Sequence, residues 1–364
     1  MKLAYLSVFK DGTGYSNFAI DTALALDSAG VDVVCKNIKL ATQTVEPPQR
    51  IHELMGKSDD GITHVVQHIL PPYFSYRAGF KNIGFAHFET THFKPSNWQY
   101  YCNLMDEIWV SCPENEKACK DSGVKVPIKI VPRGLDVTKY DRTKYQVNFG
   151  IAGRYAFYHI GDYSSRKNTY NLIKSYFETF SKQDNVVLVL KSYVEGVSPQ
   201  ESTRIINEDI KSIKISLRKF GQDMYPPIIL ITDYLDDASM MALHASCNCF
   251  ISLERGAAWN LPAHDAMAMG NYIIVNNSGG TNQYIFDGQE GGLVESHLES
   301  VNGQTRCPYP NLYTCHEEWW EPDYQDFKTR LRFVYRSQMQ PKNTKKILDR
   351  YNYASIGQRI KEIL

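Results

Sequence analysis

Short, nearly continuous apolar runs alternate along the chain with longer stretches in which apolar positions recur every three to four residues. The short runs have strand length and fall at 3–9, 31–36, 62–69, 82–87, 107–111 and 128–131. A second series follows at 158–161, 186–191, 228–233, 249–253 and 272–276. Between them the helical spacing predicts helices over 16–29, 169–182, 198–220, 238–246 and 261–269, and the segment 341–364 opens on Pro341 and then reads as helix. Strands that are apolar on both faces and alternate with helices imply parallel sheets covered on both sides. Two such series, parted near 140–157, predict two doubly wound domains in tandem, whose ligands lie beyond the carboxyl ends of the strands.

The length of 364 residues fits two domains. The 40 basic and 40 acidic residues cancel, and dividing at residue 150 gives 17 and 16 before it and 23 and 24 after. Such balance gives no support for non-specific nucleic-acid binding, which needs a basic face. No apolar run approaches the length that spans a bilayer, and the opening Met1-to-Phe9 run is cut off by Lys10 and Asp11 too early for a signal peptide. The expectation is a cytoplasmic chain in which the eight cysteines (35, 102, 112, 119, 247, 249, 307 and 315) are free thiols. Cys247 and Cys249 alternate within an apparent strand, so one should face each side. Cys307, Cys315 and His316 make a zinc site conceivable, but three ligands without paired spacing are a weak pattern, and no metal is expected.

Four stretches carry candidate chemistry. Asp11-Gly12-Thr13-Gly14-Tyr15-Ser16 lies between a strand and a helix, where backbone N–H groups can approach phosphate, with Ser16 as the helix cap. The dinucleotide fingerprint would need a glycine at 17, which is Asn17. His87 and Glu89, two apart at a strand's carboxyl end, can point into one site and orient a hydroxyl or move a proton; His92 follows. Arg166 and Lys167, just before a helix, can clamp a diphosphate, the alternative being a solvated pair. The richest stretch runs from Ser252 to Gly270: a strand ends, a Gly/Ala loop follows, and a helix starts near Pro262. Its Asp265 falls in the expected first turn, where a carboxylate can accept two hydrogen bonds from a vicinal diol such as a ribose. Ser278-Gly279-Gly280-Thr281 is another strand-to-helix turn, with more backbone donors for phosphate.

Taken in this order, the stretches resemble the group-1 (family 4) retaining glycosyltransferases of GT-B architecture. The N-terminal Gly turn, Phe88-Glu89 with Pro95 and Trp98, Asp106 to Ser111, Val131 to Asp136, the loop Gly256 to Gly270, Gly279-Gly280-Thr281 and Glu321-Pro322-Asp323 carry the resemblance over nearly the whole chain. It implies two Rossmann-like domains facing a cleft: an acceptor-binding domain over 1–145, joined by a C-terminal helix over 345–364, and a nucleotide-sugar-binding domain over 155–340.

The resemblance also distributes roles. Lys167 matches the cation that holds the donor phosphates, and Asp265 stands where the family has the second Glu of its Glu, seven residues, Glu motif, the ribose ligand. Gly12 and Gly14 match the turn near the phosphates, and His87 or Glu89 lies where the family approaches the reacting hydroxyl. Two positions depart from the family. Its first motif Glu falls on Ala257, and its usual phosphate-binding Arg falls on Asp162, with Glu254 and Arg166 close by in sequence.

The implied activity is retaining transfer of a sugar from a UDP- or GDP-linked donor, without metal and with no cofactor beyond that co-substrate. The leaving phosphate oxygen would take the acceptor proton. The acceptor implied is a saccharide or lipid-linked glycan. Hydroxymethylated bases of viral DNA are an alternative, and a non-catalytic nucleotide-sugar-binding protein is another. Nothing in the sequence sets the oligomeric state.

Overall fold

In a computed structural model the described residues are 1–39, 44–219, 221–285, 291–302, 311–339 and 344–364. Pro341 and Cys307 lie outside them. The chain divides into two compact units. Unit 1 comprises Met1–Val137, Ser300–Trp319 and Lys346–Leu364; unit 2 comprises Thr138–Glu299 and Trp320–Lys345.

Unit 1 is built on six parallel strands, β1 (Lys2–Ser7), β2 (Asp32–Asn37), β3 (His64–His68), β4 (Lys81–Phe85), β5 (Glu107–Val110) and β6 (Ile128–Ile130), in the order β2-β1-β3-β4-β5-β6. Its helices include α1 (Gly14–Ser28), α2 (Gln49–Met55), α3 (Trp98–Cys102) and α4 (Pro113–Asp121). The last three are short, and the apolar spacing did not single them out. The order reverses between β1 and β3, so the crevice at their carboxyl ends is where a ligand of this sheet belongs.

Unit 2 repeats the plan with β7 (Tyr155–Asp162), β8 (Val186–Tyr193), β9 (Ile228–Ile231), β10 (Cys249–Ser252), β11 (Tyr272–Asn276) and β12 (Gly291–Val294), in the order β12-β11-β10-β7-β8-β9. Its helices include α5 (Thr169–Thr179), α6 (Pro199–Leu217), α7 (Asp237–Ser246) and α8 (Leu261–Ala268). The switch point lies between β7 and β10. The core under this sheet joins Phe157, Leu188 and Ile251 to Tyr176 and Phe177 of α5 and Ile206 and Ile213 of α6, all fully buried. Cys247 is the C-cap of α7 rather than part of a strand, and both it and Cys249 are buried.

After β13 (Ser296–Ser300) and β14 (Glu318–Pro322) come α9 (Tyr324–Ser337), α10 (Thr344–Tyr351) and α11 (Tyr353–Ile363). Helix α11 lies on α1 so closely that a Cβ on Gly357 would collide with the Ala25 carbonyl. A buried ion pair pins the same corner: Arg133 Nε donates to Asp21 Oδ2 at 2.7 Å, and Tyr353 Oη donates to Asp21 Oδ1 at 2.6 Å.

The units do not divide at the expected residues. Residues 138–145, expected in the first domain, lie in unit 2, where the Arg142 guanidinium donates to the Cys247 carbonyl at 3.0 Å. Residues 300–319, expected in the second domain, lie in unit 1, where the Thr91 N–H donates to the Glu318 carbonyl at 2.8 Å and Leu312 packs in the cluster of Phe88, Phe93 and Trp98. No helix among the described residues is long and apolar enough to cross a membrane.

Candidate functional site

In unit 2 the site residues collect where the topology points. Strand β7 ends at Gly161-Asp162, and the loop that follows carries Arg166 and Lys167 into the N-terminus of α5. Strand β10, across the switch point, ends at Ser252, so that Glu254 follows at its mouth. The Lys167 ammonium and the Glu254 carboxylate form an ion pair through Oε2. Glu254 is 2% exposed, and its Oε1 is buried without a hydrogen-bond partner. A buried carboxylate is costly unless a cation compensates it, so the pair holds Lys167 at the switch point.

Arg166 donates to the Gly256 carbonyl at 2.9 Å and faces Asp162 at 3.8 Å. Burial pushes the Asp162 carboxyl up, but Arg166 and Lys167 outweigh it and hold the group below its ordinary value, so it is ionised at neutral pH. Asp162 therefore holds Arg166 in place rather than meeting an anion itself. His159, one turn of strand earlier, is fully buried. Its Nδ1 meets the Ile251 carbonyl at 2.9 Å, and burial lowers its pKa to about 4, so the ring is neutral and structural.

Arg255, which the sequence did not single out, pairs with Glu321 through Nε and again through Nη2 at 3.1 Å. Tyr324 donates to the same carboxylate, and Asn168 Nδ2 donates to Tyr324 Oη at 3.0 Å. The resemblance had marked Glu321, and its partner lies next to Glu254. Both switch-point loops thus carry cations backed by carboxylates, an arrangement that can neutralise a diphosphate without collapsing when empty.

The remaining candidates in unit 2 take different places from those expected. Asp265 is the fifth residue of α8, in its second turn, because the cap is Asn260 and the helix begins at Leu261. Its Oδ1 accepts the Tyr140 hydroxyl at 2.7 Å. Tyr140 lies in a segment with no sequence signal. Gly280 is not an open phosphate donor: its N–H donates to the Ala257 carbonyl at 3.3 Å. A Cβ there would strike the Ala258–Trp259 backbone, which is why a glycine stands at this position. The Ser278 N–H donates to the Asn276 carbonyl at 2.9 Å, and the Thr281 hydroxyl to the same carbonyl at 3.2 Å. Gly279, at φ +60°, opens the 3₁₀ turn Gly279–Gln283. Through Gly280 the turn packs against the loop after β10.

In unit 1 the Gly turn after β1 also differs in detail. Thr13, not Ser16, caps α1: its Oγ1 accepts the Ser16 N–H at 3.2 Å, and the Ser16 hydroxyl is buried without a partner. Gly12 has φ +65° and needs glycine's freedom; Gly14 is helical, with open space where a Cβ would stand. His87, two residues past β4, meets His68 at the end of β3, Nε2 to Nε2 at 2.8 Å, and Ser111 Oγ through Nδ1 at 3.4 Å. His68 in turn meets the Tyr5 hydroxyl through Nδ1 at 2.8 Å. Burial lowers the His87 pKa to about 3 and holds His68 well below its ordinary value, with His87 adding to the effect. His68 was missed, although a histidine ending an apolar strand is the same signal that marked His87.

Glu89 is engaged by the Tyr313 hydroxyl within unit 1. Phe88 stacks on Phe93 with ring centroids 4.3 Å apart, so the aromatic stretch that contributed to the resemblance builds core. His92 Nδ1 lies 3.4 Å from the Lys94 N–H, a local contact. Cys315 is an exposed free thiol, and no metal-holding group of His, Cys, Asp or Glu occurs among the described residues. Cys307, the third member of the conceivable zinc set, is outside them.

No protein-family model matches the chain. In sequence it is 25% identical over 171 residues to the putative glycosyltransferase 45 of Sulfolobus islandicus filamentous virus, the match covering 41% of this chain and 46% of that protein. In structure it is similar to HepE of Anabaena crystallised with UDP-glucose, at TM-score 0.70 and 15% identity over 100% of this chain and 99% of that one. It is similar also to sucrose-phosphate synthase of Thermosynechococcus elongatus, at TM-score 0.66 and 13% identity, with 100% and 98% covered. A glycosyltransferase of Rickettsia africae matches at TM-score 0.64 and 12% identity, with 100% and 97% covered. Two parallel-sheet Rossmann-like domains that superpose end to end on these proteins give the chain the GT-B fold.

Proposed function

We propose that the protein is a retaining glycosyltransferase that moves a sugar from a UDP-linked donor to an acceptor hydroxyl. The observation that carries this reading is the Lys167–Glu254 pair, with Arg166 beside it, at the switch point of the second sheet. The fold supports it: HepE, matched over the whole chain, is a structure with UDP-glucose. In this reading unit 2 binds the donor. Arg166 and Lys167 face the diphosphate and stabilise the charge that grows on it as the glycosidic bond breaks. Asp265, which accepts the Tyr140 hydroxyl, is the ribose ligand in this reading.

Glu254 takes over from the glutamate that Ala257 lacks: its unpartnered Oε1 accepts from a sugar hydroxyl when the loop opens to admit the donor. His87 and Glu89, in unit 1, lie on the acceptor side, the acceptor being a saccharide or lipid-linked glycan. The leaving phosphate oxygen takes the acceptor proton, so no side-chain base is needed. The cations do the work that a metal ion does elsewhere.

A second reading, a nucleotide-sugar-binding protein without turnover, is favoured by Ala257 and by cations that already have carboxylate partners. A donor screen separates the two. UDP- and GDP-sugars are incubated with the protein and with glycan or hydroxymethylated-DNA acceptors, and products are read by mass spectrometry. Transfer or slow hydrolysis of a UDP-sugar is the expected result. A thermal shift with UDP-sugars and no turnover of any donor would establish the binder instead.

A further inference from the structure

Four polar side chains of unit 1 form one continuous chain across the carboxyl ends of its central strands. Tyr5 of β1 meets His68 of β3 at 2.8 Å, His68 meets His87 at 2.8 Å, and His87 meets Ser111, just past β5, at 3.4 Å. Aromatic rings surround it, with the Phe18 centroid 4.6 Å and the Tyr15 centroid 5.0 Å from His87. His68 stacks on Phe85 at 4.1 Å.

The Nε2–Nε2 contact restricts the pair sharply. Two neutral imidazoles facing through Nε2 can share only one proton there, because two N–H groups would repel and two lone pairs would leave both unsatisfied. One ring must carry its proton on Nε2 and the other on Nδ1. Adding a second proton to either ring destroys the contact or demands a buried imidazolium, and no carboxylate is hydrogen-bonded to either ring among the described residues.

The Tyr5 end decides which ring is which. A phenol is a stronger donor than a neutral imidazole N–H, and an imidazole nitrogen is a better acceptor than a phenol oxygen. Tyr5 therefore donates to His68 Nδ1, and His68 keeps its proton on Nε2. The Ser111 end agrees, since Ser111 Oγ donates onward to Asn115 Oδ1 at 3.4 Å and keeps a lone pair for His87.

From this we infer that Tyr5 and His68 act as positioning residues that lock His87 as a neutral imidazole protonated on Nδ1. A free histidine side chain prefers its proton on Nε2, so the buried chain imposes the minor form. His87 is then a fixed hydrogen-bond donor whose N–H meets Ser111 Oγ at the long distance of 3.4 Å, and it is suited to an oxygen of a bound ligand. It is neither a general base nor a general acid. That the oxygen belongs to a sugar rests on the proposed function; the tautomer does not.

The test is nitrogen NMR of histidine-labelled protein without substrate, with His68 and His87 assigned by His68→Asn and His87→Asn. The expected spectrum shows His87 protonated on Nδ1, His68 protonated on Nε2, and neither titrating between pH 5 and 8. In folded His68→Asn, His87 should revert towards the Nε2 form. His87 protonated on Nε2 in the unaltered protein, or titrating near its ordinary value, would overturn the inference. Because no substrate is present, absence of glycosyl transfer would leave this result standing, and the reverse holds too.

Discussion

Lys167 shows how a site residue can serve folding and chemistry together. The sequence marked it as a cation before a helix; what it did not show is that the partner is Glu254, 87 residues on, buried across the switch point. Removing one member of a buried pair leaves the other uncompensated, at about 3–5 kcal/mol. Lys167→Ala should therefore lose stability in urea unfolding as well as turnover, the latter by about 10²–10³, as for one preorganised donor. Adding Glu254→Gln should restore the midpoint and leave turnover low; recovery of both would remove Lys167 from the phosphate role. Asp265 makes the complementary case. A ribose contact is equal in ground and transition states, so Asp265→Asn should raise the donor KM and spare kcat. At about 1.5–3 kcal/mol for a charge-assisted bond the rise is roughly 10- to 150-fold. Loss of kcat at saturating donor with KM unchanged would place Asp265 in the chemistry instead.

Long, strongly patterned elements were legible in the sequence, and short or locally capped ones were not. Strands β1 to β11 and helices α1, α5, α6, α7 and α8 fall where apolar periodicity places them, within a few residues at each end. Helices α2, α3 and α4 are five to nine residues long, too short for a helical period to stand out. Helix α8 begins at Leu261, capped by Asn260 with φ 57° and its side chain on the Ala263 N–H, so Asp265 is its fifth residue and falls just past the first turn. The C-terminal segment joins the first unit as the resemblance implied, but its seat on α1 was not legible, since nothing local distinguishes Gly357 from a helix-weakening glycine. Its role is close approach to Ala25, and Gly357→Ala should cost about 1–3 kcal/mol by overpacking. Urea unfolding measures it. A gain in stability, as helix propensity alone would give, would mean that α11 can move off α1 at no cost.

At the scale of the molecule, alternation of strand and helix gave two parallel sheets, and the topology of each brought the candidate residues to a switch point. The boundaries followed side chains that no pattern announces, with Arg142 anchoring 138–145 to unit 2 and Leu312 with Tyr313 anchoring 300–319 to unit 1. Both units bury histidines in neutral form, and this sets their acid sensitivity. His87 falls to about 3 and His159 to about 4 from 6.5, with His68 also well below. These folded values are depressed, so between them and 6.5 the unfolded chain binds more protons. Stability is complete above about pH 6.5 and falls as pH drops, by up to about 1.4 kcal/mol per pH unit for each ring. Urea midpoints should decline from pH 7 to pH 5. A flat profile would show that the rings charge freely when folded. Retaining transfer from a UDP-sugar is tested by proton NMR of the anomeric signals during turnover. The prediction is that the donor's α-anomeric signal decays as UDP appears and that an α-anomeric product signal replaces it. A β-anomeric product, or a donor signal that persists with every acceptor supplied, would contradict it.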